Sequence, residues 1–297
     1  MERRPFGRTI PRPVNLAHPL PGPISPPIVH IGPPTRRWGT LGLRQIVAYH
    51  ELLYFLVLRL VKLRYKQTVF GAGWAVLQPL LAMAAFTLVF GRLARLPSDG
   101  LPYAVFAYTA LVPWTYFANT IGHASNSLVD NERMLTKVYF PRALLPLASV
   151  IGGLLDLMIS LVVLFGLLAV YGVRPSANIW ALPVFVVLAA LTALAVGLWL
   201  SALNVRYRDV RHAVPFLVQF WLFVTPVAYS SSLVPVRWRG WYALNPMVGV
   251  VDGFRWALLG RPEVPVSAAV SAVAVLALLL GGLSYFRRTE RTFADII

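Results

Sequence analysis

Six stretches of this chain are apolar over a length that suits a lipid bilayer. They lie at about 70–90, 103–129, 144–170, 179–203, 213–229 and 264–286. A helix rising about 1.5 Å per residue needs about 20 residues to cross a hydrocarbon core of about 30 Å, and each stretch is near that length. In lipid, backbone N–H and C=O groups are satisfied only within a helix or a closed barrel. Continuous apolar runs, unlike alternating ones, select the helix. The composition agrees: 58% of residues are hydrophobic and 13% charged, against about 25% charged in a globular domain, and the mean hydropathy is +0.66. The expectation is an all-α integral membrane protein with six transmembrane helices.

The charge distribution supports that class and orients it. A net charge of +16 could suit nucleic acid, but the basic residues form short clusters between the apolar runs, which is how topology signals are distributed. With a cytoplasmic N-terminus, 20 of the 27 Lys and Arg residues fall on the inner side. Seven (Arg92, Arg95, Arg174, Arg237, Arg239, Arg255 and Arg261) fall on the outer side. The positive-inside rule therefore predicts both termini in the cytoplasm. Residues 1–35 hold ten of the 24 prolines and read as an extended tail of irregular structure, not a signal peptide. The chain has no cysteine, which excludes disulfides and thiolate metal sites.

Between the tail and the first span, residues 41–67 read as an amphipathic helix. Arg59, Lys62 and Lys66 share one face, with Leu60, Val61 and Leu63 beside them, a pattern suited to lying along the membrane surface. The third span carries Asp156, about 12 residues from its inner end. A charge at that depth costs about 2.5–3.5 kcal/mol on insertion scales and should face protein or water. Ser149, Gly152, Gly153, Asp156 and Ser160 form a small, polar stripe suited to close helix packing. A structural hydrogen bond by Asp156 is favoured over a proton relay. The loop at 230–262 is long and aromatic, with Trp238, Trp241, Tyr242, Phe254 and Trp256 among Arg237, Arg239 and Arg255, and Asn245-Pro246 interrupts it. Two short re-entrant helices between the fifth and sixth spans are predicted there. The rings read either as an interfacial anchor or as an outer gate formed by Trp238, Trp241, Tyr242 and Trp256.

Four segments carry a resemblance. KLRYKQTVFGAGWAVLQPL, VPWTYFANTIGHASNSLVDNERMLTKVYFPRALLPLAS, ALNVRYRDVRHAVP and YALNPMVGVVDGFRW are similar, in order and spacing, to the membrane subunit of bacterial polysaccharide exporters of the ATP-binding-cassette class. These are the O-antigen, teichoic-acid and capsule permeases of ABC-2 type. The resemblance spans roughly residues 40–290 and implies a transmembrane domain over 36–297. It implies an inner-membrane homodimer, two cytoplasmic ATPase subunits that hold ATP and Mg, and export of a polyprenyl-diphosphate-linked glycan.

Carried over by position, the inner segment from Asn131 to Arg142 matches the family's coupling region. Met134, Leu135, Val138, Tyr139 and Phe140 give it an apolar face, flanked by Arg133, Lys137 and Arg142. Arg206, Arg208 and Arg211 match a second inner loop that could meet an acidic ATPase surface or the lipid diphosphate, although topology alone already explains positive charge there. Trp114, Tyr116, Phe117, Trp221 and Phe223 resemble rings lining the family's glycan conduit. Equally, they could face lipid or neighbouring helices.

The chain has no GxxxxGK[ST] and no HExxH, so neither ATP hydrolysis nor metalloprotease chemistry is expected of it, and no cofactor or metal. A drug or lipid exporter of the same architecture is one alternative. An integral membrane enzyme acting on lipid-linked sugars is another. It would need an acid or base from Asp99, Asp252 and Glu263 outside, or Asp130, Glu132 and Asp209 inside.

Overall fold

The helix Tyr103–Asn126 is the element the others surround. Buried side chains cover almost its whole circumference from Ala104 to Ser125, as expected of a helix enclosed by neighbours and not lying at a surface. The computed structural model describes residues 47–66, 73–260, 266–290 and 293, all of them within the unit Gly42–Ile297. The proline-rich tail predicted at 1–35, residues 41–46 and 67 of the predicted amphipathic helix, residues 70–72 of the first predicted span and Glu263 lie outside the described residues.

In chain order the helices are α1 (His50–Tyr65), α2 (Gly73–Phe86, continued as a π-helical turn over Thr87–Leu93), α3 (Tyr103–Asn126), α4 (Glu132–Lys137), α5 (Leu144–Val170), α6 (Leu182–Arg206), α7 (Val210–Val224), α8 (Val236–Tyr242), α9 (Pro246–Leu259) and α10 (Val266–Glu290). Short 3-10 turns stand at Val129–Asn131, Ala177–Ala181 and Ser231–Leu233. There is no strand among the described residues.

Among the described residues, four segments are long and apolar enough to cross a membrane: Gly73–Leu93, Leu144–Val170, Ala177–Arg206 and Val266–Glu290. The other two expected spans differ from them for separate reasons. α3, with 24 residues, is about 36 Å long, which is sufficient, but Thr115, Asn119, Thr120 and His123 dilute its apolar character. α7 has 15 residues, about 22 Å. It ends at Thr225, whose backbone is extended, short of the predicted limit at Tyr229.

Sequence dictates the ends of α9 plainly. Asn245 caps it, its side chain accepting the Met247 N–H at 3.1 Å. Pro246 takes the first helical position, where its missing N–H costs nothing. Gly260 then stops it in the left-handed region at φ 75°, where a side chain would be strained. The Asn-Pro pair that interrupts the aromatic loop is thus the start signal of a helix whose residues are nearly all buried.

Two apolar clusters hold the elements together. The larger joins α3, α5, α6 and α9, with Phe117, Leu157, Phe185 and Phe254 among its members. The smaller collects Leu56 of α1, Leu128, Leu135, Phe140, Leu144, Leu198, Val205, Phe286 and Phe293. α1 does not stand apart from this bundle: it runs beside α5 in parallel register. Leu60 lies 4.0 Å from where a Gly152 Cβ would stand, and one turn further along each helix Arg64 forms an ion pair with Asp156. The 4.0 Å distance is ordinary van der Waals contact, so a methyl group at 152 would fit between the two helices.

Candidate functional site

Three regions contain the residues singled out in the sequence, and the first is the inner segment after α3. The structure divides its apolar side chains into two groups. Leu135 and Phe140 turn inward and are 8% and 3% exposed, while Val138 and Tyr139 project outward at 56% and 75%. Met134 is half-buried, and Arg133 and Lys137 are exposed. The result is a short knuckle pinned from beneath. Arg142, expected on the same docking face, is engaged elsewhere: its guanidinium donates to the Glu290 carbonyl and its backbone N–H to Glu290 Oε1. Nearby, Arg206, Arg208 and Arg211 are all exposed, with Arg206 5.5 Å from the centre of the Tyr207 ring. Asn204, in the same ALNVRYRD run, is buried and donates to the Ser125 carbonyl at 2.8 Å, fastening α6 to the end of α3.

The second region is a cavity of about 280 Å³ between α1, α2, α3 and α5. Arg64, Trp74, Gln78, Thr115, Tyr116, Asn119, His123, Asp156 and Ser160 are among its walls. The polar residues recur at intervals of four: 74 and 78 on α2, 115, 119 and 123 on α3, 156 and 160 on α5. Residues four apart share a helix face, so three helices each turn one polar face inward. This combination of amide, hydroxyl, charged and aromatic groups offers hydrogen bonds in both directions, with ring faces from Trp74 and Tyr116. The Ser160 hydroxyl donates to the Ala75 carbonyl at 3.3 Å and the Tyr116 hydroxyl to the Val150 carbonyl at 3.1 Å, which fixes the walls.

Of the five rings proposed for a conduit, Tyr116 alone borders this cavity. Trp114 and Phe117 are buried, with centres 5.7 Å apart, and Phe117 meets half-buried Trp221 edge to face at 5.1 Å. Phe223 projects outward at 60% exposure. The signal for the remaining walls was in the sequence as the four-residue spacing of polar side chains within apolar runs. Bringing those faces together required the fold.

The third region comprises α8 and α9. Trp238 and Trp241 are exposed, Tyr242 shares a hydrogen bond of 2.9 Å with Tyr229, and half-buried Trp256 meets Phe185 edge to face at 6.2 Å. Of the four rings proposed as an outer gate, two are thus exposed and two half-buried. Arg255, counted among the outer charges, is fully buried. Its guanidinium donates to the carbonyls of Pro226 (2.6 Å), Val227 (2.9 Å) and Tyr229 (3.2 Å) and lies 3.6 Å from the centre of the Phe106 ring. Asp252 accepts from Ser231 at 2.6 Å and from Ser267 at 3.2 Å. Burial pushes its carboxyl above the usual carboxylate range, a shift that the Ser231 bond, Arg255 and Ser267 oppose. Neither group is placed to act on a sugar from outside.

Comparison with known proteins fits this architecture. The sequence matches the ABC-2 type transporter family over residues 51–259, and the chain belongs to that family. It is 32% identical to the O-antigen export system permease protein RfbA of Myxococcus xanthus, over 86% of this chain and 98% of the relative. The RfbA protein of Klebsiella pneumoniae is 26% identical over 83% of this chain and 95% of its own length. The polysialic acid transport protein KpsM of Escherichia coli is 21% identical over 79% and 92%. The first two relatives are named as permeases and the third as a transport protein, and this chain is a multi-pass membrane protein of the ABC-2 type transporter family.

Proposed function

We propose that this chain is the permease subunit of an ATP-driven exporter that moves a polyprenyl-diphosphate-linked polysaccharide across the bacterial inner membrane. The observation that carries the reading is the near-full-length similarity to permeases named for O-antigen export. Two features of the geometry agree with it. A cavity with hydrogen-bonding and aromatic walls between apolar helices suits the hydroxyls and C–H faces of sugars. A knuckle exposing Val138 and Tyr139 beside Lys137 suits docking of a soluble partner, since an exposed aromatic next to a charge is a common anchor of interfaces.

The chain works as a homodimer, because one subunit encloses too little space for a long polar polymer. Six spans, with α3 and α7 completing the four most apolar ones, leave both termini and the Arg206–Arg211 loop in the cytoplasm. α1 lies at the inner interface and rises along α5. α8 and α9 re-enter the outer leaflet without crossing it, since a 14-residue α9 reaches about 21 Å and its first turn has N–H partners in Asn245 and Ser271. ATP and Mg are held by two partner ATPase subunits, with Arg206, Arg208 and Arg211 available to an acidic partner surface or the lipid diphosphate.

Reconstitution in vesicles tests the whole reading: glycan export should require the partner ATPase and ATP. In the same preparation, Tyr139→Ala with Lys137→Glu should weaken co-purification of the ATPase by about tenfold or more and leave the helical content unchanged. Export without the ATPase would refute the transporter reading. Undiminished co-purification would remove the knuckle from it.

A further inference from the structure

α10 is hydrogen-bonded at one end to the inner segment and at the other to the α8–α9 hairpin. At the inner end it holds Arg142 through Glu290, with the backbone N–H of Arg142 3.1 Å from Glu290 Oε1 and the guanidinium on the Glu290 carbonyl. The Arg142 guanidinium also lies 5.8 Å from the centre of the Phe293 ring. Phe293 meets Phe286 edge to face at 5.4 Å, and both belong to the inner cluster with Leu135 and Phe140.

At the outer end, the Ser271 hydroxyl donates to the Ala243 carbonyl at 2.8 Å and accepts the Gly249 N–H at 3.1 Å. Ser267 donates to Asp252 Oδ2 at 3.2 Å. Midway, Trp199 of α6 donates to the Leu278 carbonyl at 3.0 Å and rests against Gly281 and Gly282. The helix has 25 residues, about 37 Å. It therefore ties the segment bearing Val138 and Tyr139 to the α8–α9 hairpin. α5 follows that segment directly in sequence, but it packs chiefly on α1, α2, α3 and α6.

We propose that α10 is a rod connecting the inner segment to the α8–α9 hairpin, and that Arg142 is the positioning residue at its inner end. A helix is stiff along its axis, and charge-assisted or buried hydrogen bonds at each end transmit displacement where loose apolar contact would slip. Motion of the knuckle is thereby delivered to the hairpin. The source of that motion rests on the reading that an ATPase docks on the knuckle; the rod itself does not depend on a partner.

Hydrogen exchange on the full chain in nanodiscs tests the rod without any partner. Arg142→Gln removes the guanidinium's bond to the Glu290 carbonyl, and Glu290→Ala removes the carboxylate that accepts from the Arg142 backbone N–H. Both should raise exchange at the inner end of α10 and in residues 236–259, while α3 and α5 keep their protection. Loss of protection throughout would mark a purely structural role, and an unchanged 236–259 would leave the hairpin unconnected; either result overturns the proposal.

A second measurement adds the ATPase. Because the chain lacks native cysteine, Trp241→Cys gives a single label, and its modification rate should change about fivefold or more on nucleotide binding. Arg142→Gln should abolish that change while the ATPase still co-purifies. If Arg142→Gln releases the ATPase instead, Arg142 is a docking residue and the proposal falls. If the parent permease never binds the ATPase, the docking reading fails separately, and the exchange result alone decides the rod.

Discussion

Arg255 shows how far a charged residue's role can depart from its surroundings in sequence. It stands among aromatic residues in a loop that reads as outward, and a basic residue there looks like one more topology signal. Its acceptors come from residues 226, 227 and 229 and from Phe106, 149 positions away, which also supplies its ring contact. No local pattern could assemble that set. The flat, forked guanidinium serves several carbonyls at once, which a single ammonium cannot do. Arg255→Lys should lower the thermal unfolding midpoint, and Arg255→Met should lower it further, with a loss of stability of about 3 kcal/mol or more, because several buried carbonyls lose their donor. Thermal unfolding in detergent checks this, and an unchanged midpoint for Arg255→Met would show that the strut contributes nothing. Asp156 behaves differently: its need for a protein partner was legible from its place in an apolar run. That the partner is Arg64 followed only from the parallel packing of α1 on α5.

At the scale of elements, α9 was the more legible in its ends and the less legible in its surroundings. Asn245, Pro246 and Gly260 mark its limits by local backbone chemistry, whereas its burial depends on which helices approach it. The approach to α10 is close: a Cβ on Gly249 would stand 2.5 Å from Ser271 Cβ and 2.9 Å from Ala268 Cα. The second of these is backbone, so the helices themselves would have to separate. Gly249→Ala should therefore destabilise the protein by about 1–3 kcal/mol, the usual cost of overpacking, as a drop in the unfolding midpoint or in expression of monodisperse protein. A midpoint equal to the parent's would mean that α10 yields at little cost. The inner knuckle follows the same division. Its apolar composition was plain, but a six-residue α4 followed by extended chain has no period from which to read that Leu135 and Phe140 anchor it while Val138 and Tyr139 protrude.

For the whole molecule, the asymmetry of basic residues predicts an orientation that single cysteines can test in intact cells. Trp241→Cys should react with a membrane-impermeant maleimide from outside, and Tyr139→Cys only after the membrane is opened; the reverse pattern would invert the topology. Class and membrane location were determined by sequence alone, because the cost of placing polar backbone or charge in lipid is large, additive along the chain and blind to tertiary context. The same costs located the helices Gly73–Leu93, Leu144–Val170, Ala177–Arg206 and Val266–Glu290 within a few residues. Tertiary structure decided which polar faces meet around a cavity, which arginines are buried and which are free, and that α10 links the inner segment to the α8–α9 hairpin. Those outcomes depend on side chains far apart in sequence meeting in one register, and helical periodicity alone does not specify which faces will meet.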